Sequence, residues 1–471
     1  MGEELLLQGG TIVTASDTFE ADLLVRDGRI ASVGQSLSTT GAVRDVSGLL
    51  VMPGGIDTHV HLEHPVDRIG IETADDFFSG SVAAACGGTT TLVDFALQRK
   101  GDDLEKVSTE RAELAGSKSI VDFGLHIILT DIREETPSQM RRAVEQGFTS
   151  FKIYMTYADK YVDDASLLRI LETNAACGGL TYLHCENDCA VTHLIGSHLS
   201  RGDTEARFHA PSRPPIVEAE ATYRAIALAE ITRAPICIAH VTSERALGNI
   251  EKARYEGAQV VSETCPQYLL LTDACYRNAD EAAKYVCTPP IRSEENQRAL
   301  WQGLRRGSIQ QVASDHAPFR FEDQKLGPSD FTKIPNGVPG IETRLALLYS
   351  KGVSEGRLSP NRFVQLVATN PAKMFGLYPR KGSLAVGADA DIVVMDPGRT
   401  VSLRHDELHH DVDYTPYEGM DVTGVPVLTV SRGRILSENG QIHGDVEALR
   451  GRGELIARKP IPSELDLSAI F

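Results

Sequence analysis

Ser150-Phe151-Lys152-Ile153-Tyr154-Met155-Thr156-Tyr157 is the stretch on which the fold turns. Its apolar residues leave neither face fit for water. It reads as a strand covered on both sides, the kind found in parallel sheets flanked by helices. One residue breaks the pattern. An ammonium at Lys152 loses several kcal/mol of hydration there unless it is paired, neutralised or chemically changed.

Seven more apolar runs flank this one: 49–61, 89–97 and 122–129 before it, then 180–186, 235–243, 259–269 and 309–318. Between them lie stretches with helix punctuation. TADDFFSGSVAAACGG opens on Thr73 as the expected cap, carries acids next, and closes on glycine. SLLRILETNAACGG and EENQRALWQGLRRG repeat that grammar. Eight strand-then-helix units predict an α/β chain folded as a (β/α)8 TIM barrel. The two ends have another texture. Asp27-Gly28 and Arg432-Gly433 each sit between alternating apolar runs, the signature of tight hairpins. Neither end has enough strand to bury a face alone, so a small β-sandwich built from both chain ends is expected. The expected division is 1–50 and 379–440 for the sandwich, 51–378 for the barrel, and 441–471 for a charged, proline-bearing arm that needs a surface to lie on.

The chain of 471 residues has an ordinary globular composition, 42% hydrophobic and 24% charged. Its formal net charge of −18 and lack of a Lys/Arg run argue against nucleic acid as a partner. No apolar run approaches the ~20 residues that span a bilayer, and MGEELLLQGGTIVTA lacks the marks of a secretory signal. No membrane association and a cytoplasmic location are the expectations. The eight cysteines form no CxxC pair and are expected to be reduced. Cys185 and Cys189 flank a polar turn but have no second Cys/His pair at zinc-finger spacing.

The chemistry gathers at strand ends. His59 and His61 in GGIDTHVHLE are two apart, so on a strand both imidazoles share a face about 6–7 Å apart. The fifth strand ends in LHCE with His184, the sixth in AHVTS with His240 and the eighth in ASDHAP with Asp315. In a barrel these ends meet at one mouth, where active sites of this fold lie. Four imidazoles and a carboxylate exceed the needs of one catalytic zinc. They suit two ions ~3.5–4 Å apart with a bridging ligand. A desolvated amine beside two cations loses its proton, and a neutral amine adds CO2 to become a carbamate with two oxygens. Lys152 is therefore expected to be N6-carboxylysine, bridging the ions.

GGIDTHVH, AACGGTTTLVDF, SFKIYMTY, LHCEND, HAPSRPPIVEAEA, ETCPQYLLL, CTPPIR, ASDHAPF, IPNGVPGIETRL, NPAKMFGLYPRKG and DADIVVMDP together resemble the amidohydrolase superfamily, and within it the dihydropyrimidinase/hydantoinase branch of cyclic amidases. The resemblance implies that His59, His61 and Asp315 hold the more buried ion and His184 and His240 the second, with carboxylated Lys152 shared. It implies Tyr157 as the hydrogen-bond donor to the substrate carbonyl, and backbone groups of Thr288 and Asn336 as holders of the amide ring. Asp315 would also move the proton from water to the leaving nitrogen. Zinc is the expected metal, with manganese or cobalt as substitutes. The implied reaction opens dihydropyrimidines or 5-substituted hydantoins to N-carbamoyl amino acids. The implied assembly is a homotetramer or dimer, with the arm from 441 packing on a neighbour.

Some positions depart from that pattern: Thr288 stands where serine is common, and Cys185 and Cys189 where alanine and glycine are. The loops LEHPVDRIGIET and YADKYVDD match no one substrate type. His64 and His316 read as neighbours of the ligands. A dihydroorotase would place arginine where Glu63 stands, and an allantoinase is disfavoured by SFKIYMTY and IPNGVPGIETRL. A non-catalytic binding protein of the same fold would have lost ligands that are all present here.

Overall fold

The computed structural model describes residues 4–461. Eight strands in chain order form one parallel sheet: Gly55–Asp57, Thr89–Leu97, Asp122–Ile128, Ser150–Tyr154, Leu180–His184, Ile236–Ile238, Val260–Thr264 and Gln311–Val312. Past the first and last strands the sheet closes on itself. The His61 N–H donates to the His316 carbonyl at 2.8 Å, and the His316 N–H donates to the His59 carbonyl at 3.3 Å. The barrel is thus the expected one. Its strands are buried throughout apart from Leu97, as sheet covered on both faces requires.

Two runs that read as single strands are each divided. In 49–61, Leu50–Pro53 pairs with the terminal sheet and only Gly55–Asp57 enters the barrel. Gly54 makes the crossing. A Cβ there would lie 2.3 Å from Thr90 Oγ1. In 259–269 the strand stops at Thr264 and a helix, Pro266–Leu270, follows with Pro266 in its first turn. The first barrel helix, Phe77–Cys86, is capped by Asp76 rather than Thr73 and has no acid in its first turn. The Asp76 carboxylate accepts from the Phe78 and Ser79 N–H groups, while Thr73 Oγ1 accepts from the His64 N–H at 2.9 Å.

Strands from both chain ends form one hydrogen-bonded sheet of nine, branching at Glu4–Val13. Asp27 and Gly28, with φ of 51° and 75°, turn the hairpin between Thr18–Arg26 and Arg29–Gly34. Arg432 and Gly433 do the same between Asp421–Ser431 and Arg434–Glu438. The sheet's apolar side chains, among them Leu23, Val25, Ile392 and Val430, form their own cluster. A buried ionic latch joins this sheet to the barrel. Lys381 Nζ lies 2.5 Å from Asp122, 2.6 Å from Asp391 and 3.0 Å from Asp389.

The C-terminal arm, as far as Ile461, lies across this chain's own barrel at the start of its strands. The Phe123 N–H donates to the Glu454 carbonyl, Ile456 N–H to Phe123, and Ile461 N–H to Gly178. Arg458 reaches inward from this strap, 3% exposed, donating to Ser150 Oγ and the Leu125 carbonyl. Residues 462–471, the rest of the expected oligomer contact, lie outside the described residues. Among the described residues no helix is long and apolar enough to cross a membrane.

Candidate metal centre

At the opposite end of the strands, one cavity is lined by all nine residues expected from the sequence: His59, His61, Lys152, Tyr157, His184, His240, Thr288, Asp315 and Asn336. The strands position them directly. Lys152 and His184 belong to adjacent strands, with Lys152 paired to Tyr182 and Tyr154 to His184. His59, His61, His240 and Asp315 follow just beyond their strand ends. His240, Asp315 and Tyr157 have positive φ, at 32°, 50° and 70°. A non-glycine residue held there costs roughly 1–3 kcal/mol, and such strain collects at functional sites.

Asp315 Oδ1 stands 3.2 Å from His59 Nε2 and 3.5 Å from His61 Nε2. One ligand atom from each of His59, His240 and Asp315 fits within 4.8 Å of the other two. The His184 and His240 rings meet edge to face with centroids 4.5 Å apart. Lys152 is fully buried, and its Nζ has no hydrogen-bond partner. It faces ring surfaces, with centroids 4.4 Å away at Tyr182, 5.3 Å at Tyr154 and 5.5 Å at Phe95. Burial pulls its pKa below the ordinary lysine value, against the pull of Asp315 and Glu263. Burial likewise lowers His61 to about 3 and raises Asp315 to about 7. Neutral imidazoles, a deprotonating amine and a buried carboxylate are a poor self-sufficient cluster and a good donor set for divalent cations. The unpartnered Nζ, with unpartnered Nδ1 atoms on His61 and His240, fits a metal-binding role.

Several groups behind the expected ligands went unread in the sequence. Glu263, fully buried, accepts from His59 Nδ1–H at 2.7 Å, Gln311 Nε2–H at 2.7 Å, the His240 N–H at 3.2 Å and the Tyr182 hydroxyl. Glu186 lies 2.9 Å from His184 Nε2 and 2.6 Å from Arg213. Burial would raise Glu186, but Arg213 and His184 outweigh it and hold it at about 2. Such partners fix imidazole orientation and raise ligand basicity. A charged residue inside an apolar strand run marks Glu263 in VVSETC as it marks Lys152, and spacing of two places Tyr182 on the face of His184.

Tyr157, Thr288 and Asn336 lie farther out. Asn336 Nδ2 donates to the Tyr157 hydroxyl at 3.3 Å, and Thr288 Oγ1 is 3.3 Å from His209 Nε2. His316 adjoins Asp315 in the chain and is fully buried. Its Nε2 is 3.0 Å from Asp75 and its Nδ1 accepts from the Gly340 and Ile341 N–H groups. His64 lines the cavity, its ring 4.9 Å from that of His61.

A family model described as Amidohydrolase family matches residues 50–436. The D-hydantoinase of Geobacillus stearothermophilus is 44% identical over 444 residues, covering 93% of this chain and 94% of that protein. The D-hydantoinase of Rhizobium radiobacter is also 44% identical over 444 residues, covering 94% and 96%. The solved dihydropyrimidinase from Brevibacillus agri NCHU1002 superposes with a TM-score of 0.94 at 41% identity, over 97% of this chain and 99% of that one. The chain belongs to the amidohydrolase family. Within it, the chain is an enzyme of the hydantoinase and dihydropyrimidinase kind, a hydrolase of cyclic amides.

Proposed function

We propose that the enzyme opens the ring of D-5-substituted hydantoins, with dihydropyrimidines as further substrates, giving N-carbamoyl amino acids. The observation that carries the site assignment is the convergence of four imidazoles and Asp315 on a buried lysine amine that has no partner. The D preference rests on the two D-hydantoinases at 44% identity.

Lys152 is assigned as the bridge. Its neutral amine adds CO2, forming an N–C bond at Nζ and releasing a proton, so that an unpaired cation becomes an anion with two donor oxygens. His59, His61 and Asp315 would hold one divalent ion and His184 and His240 the other. Zinc suits such imidazole and carboxylate donors, with manganese or cobalt as substitutes. When bound, two such ions supply a water acidified enough to attack near neutral pH and polarise the carbonyl. Tyr157 donates its O–H to the carbonyl oxygen as negative charge develops there. Backbone groups at Thr288 and Asn336 hold the ring amide in line. Asp315 takes the proton of the attacking water and passes it to the ring nitrogen as the C–N bond breaks. The assembly is assigned as a homotetramer or dimer acting in the cytoplasm, and the units as 1–50 with 379–440, 51–378 and 441–471.

The test is a panel of hydantoin, dihydrouracil, allantoin and both enantiomers of a 5-substituted hydantoin, run with metal quantification. D-hydantoin opening exceeds the L rate, and allantoin is spared; preferential allantoin hydrolysis would overturn the substrate assignment. Lys152→Ala loses most of its metal and activity. Two bound ions with full activity in that variant would refute the bridge.

A further inference from the structure

The two loops that match no single substrate type meet at one end of the catalytic cavity. His64, Val66, Arg68 and Thr73 come from the first loop, and Asp159 and Lys160 from the second. The first loop folds as a hairpin of Pro65–Val66 and Ile71–Glu72, with Arg68 in its turn. The second turns back on its strand, the Lys160 N–H donating to the Tyr157 carbonyl at 2.8 Å and the Val162 N–H to Tyr154 at 3.1 Å. That turn sets the Lys160 ammonium 5.2 Å from the Tyr154 ring, the same ring that lies 5.3 Å from Lys152 Nζ. The site of the reaction and this second lysine are thus separated by one aromatic side chain.

Three features of this end point to an anion. Lys160 forms no salt bridge among the described residues, although Asp159 stands beside it at the rim and Asp67 is near enough to act on it, being paired instead with Arg99 at 2.8 Å. His64 is 4% exposed and lines the cavity, yet both of its ring nitrogens lack a hydrogen-bond partner. Buried polar groups are normally satisfied, so an imidazole with none of its bonds made awaits a ligand. Arg68 adds a second full positive charge, with one guanidinium nitrogen engaged by the Thr332 carbonyl at 2.7 Å and the rest of the fork free of ion pairs. Val66, Ala317 and Phe319 supply apolar wall in the same cavity.

We infer that this end is a subsite for a carboxylate carried on a short aliphatic ring substituent, bound by the Lys160 ammonium with His64 N–H and Arg68 as further donors. The inference rests on the cyclic-amidase reading and narrows it. Preferred substrates are hydantoins whose 5-substituent ends in an acid, with the methylene stem against the apolar wall. A hydrogen bond to a charged group is worth about tenfold or more in affinity when the competing ligand cannot reproduce it. Lys160 therefore discriminates the acid from its uncharged amide isostere, which has nearly the same shape.

The deciding measurement is the ratio of kcat/KM for 5-(2-carboxyethyl)hydantoin to that for 5-(2-carbamoylethyl)hydantoin, in metal-loaded wild type, Lys160→Met and His64→Met. The wild-type ratio exceeds about ten, falls at least about tenfold in Lys160→Met and falls less in His64→Met. It also shrinks as salt rises, a readout that needs no variant. A wild-type ratio near one, or a ratio unmoved by Lys160→Met, overturns the subsite. If neither compound is opened, the cyclic-amidase reading fails instead. Calorimetric binding of the same pair then decides the subsite alone, since equal affinities refute it and tighter, Lys160-dependent binding of the acid upholds it.

Discussion

Replacing Glu263 with glutamine changes one atom and should cost the enzyme its grip on metal. The two carboxylate oxygens receive four donors: His59 Nδ1–H and the His240 N–H on Oε1, the Tyr182 hydroxyl and Gln311 Nε2–H on Oε2. A glutamine amide keeps one acceptor and turns the other into a donor. Whichever way it flips, two donors face an NH2 group. With the amide nitrogen at the Oε1 position, His59 Nδ1–H loses its carboxylate acceptor, the one that makes Nε2 basic, and keeps only the Tyr182 hydroxyl at 2.7 Å. With it at the Oε2 position, Tyr182 and Gln311 are left to rearrange next to Lys152. Loss of such support to a ligand lowers metal affinity about 10- to 100-fold, or roughly 1.4–2.7 kcal/mol. Metal-free protein should suffer much less, because burial already raises the Glu263 pKa and disfavours its charge. The assay is competition with a graded chelator, following bound metal and turnover together, with thermal unfolding of the metal-free forms as the control. Glu263→Gln should release metal at about 10- to 100-fold lower chelator concentration. Retention within twofold of wild type would refute the argument that this carboxylate orients the ligand.

Lys381→Met leaves the buried carboxylates of Asp122, Asp389 and Asp391 facing one another at the junction of sheet and barrel. A loss of roughly 3–5 kcal/mol is expected in urea unfolding. Burial alone would lower the Lys381 pKa, but Asp391, Asp122 and Asp389 outweigh it and raise it. For Asp389 burial works upward, and Lys381 and Arg380 outweigh it and lower the value. The lysine's contribution is therefore full below its ordinary pKa and lost in stronger alkali. The aspartate's is full above its ordinary value and lost on acidification. Burial already raises Asp391, and without the ammonium the three carboxylates repel and rise further. The variant's deficit should therefore be largest in mild alkali and shrink as falling pH protonates them, and a deficit that grows on acidification would contradict this. Arg458→Met strips the buried Leu125 carbonyl of its donor and Ser150 Oγ of one partner, so the urea midpoint should fall by the equivalent of about 1–3 kcal/mol while the metal content of the protein stays that of wild type. An unchanged midpoint would show that the strap is not holding the barrel floor.

The residues legible in the sequence were those whose chemistry is out of place in their own strand. Lys152 stands out because its neighbours within the strand already define an apolar setting, and His59 with His61 because two imidazoles share one face. The terminal sheet was legible for a similar local reason, since Asp27-Gly28 and Arg432-Gly433 need no distant partner to turn. What escaped depends on partners far along the chain. Lys381 reads as one more basic residue in YPRKG until Asp122, 259 residues away, is placed against it. Arg458 sits in a charged tail that suggests solvent, yet its guanidinium is buried because carbonyl and hydroxyl oxygens of two barrel strands accept its hydrogen bonds. Gly54 escaped for the opposite reason: apolar residues continue on both sides of it, so hydropathy cannot mark where the chain leaves one sheet for the other. His64 shows how the two kinds of signal differ. Adjacent to a ligand motif, it read as a neighbour of the metal ligands, and only the closing of two loops over it shows a buried ring with nothing to bind. The expected ligands are set by the strands that carry them, whereas the end of the cavity proposed to take the ring substituent is set by loops whose meeting no single segment encodes. Catalytic class is consequently readable along the chain, and substrate choice becomes readable when those loops are seen together.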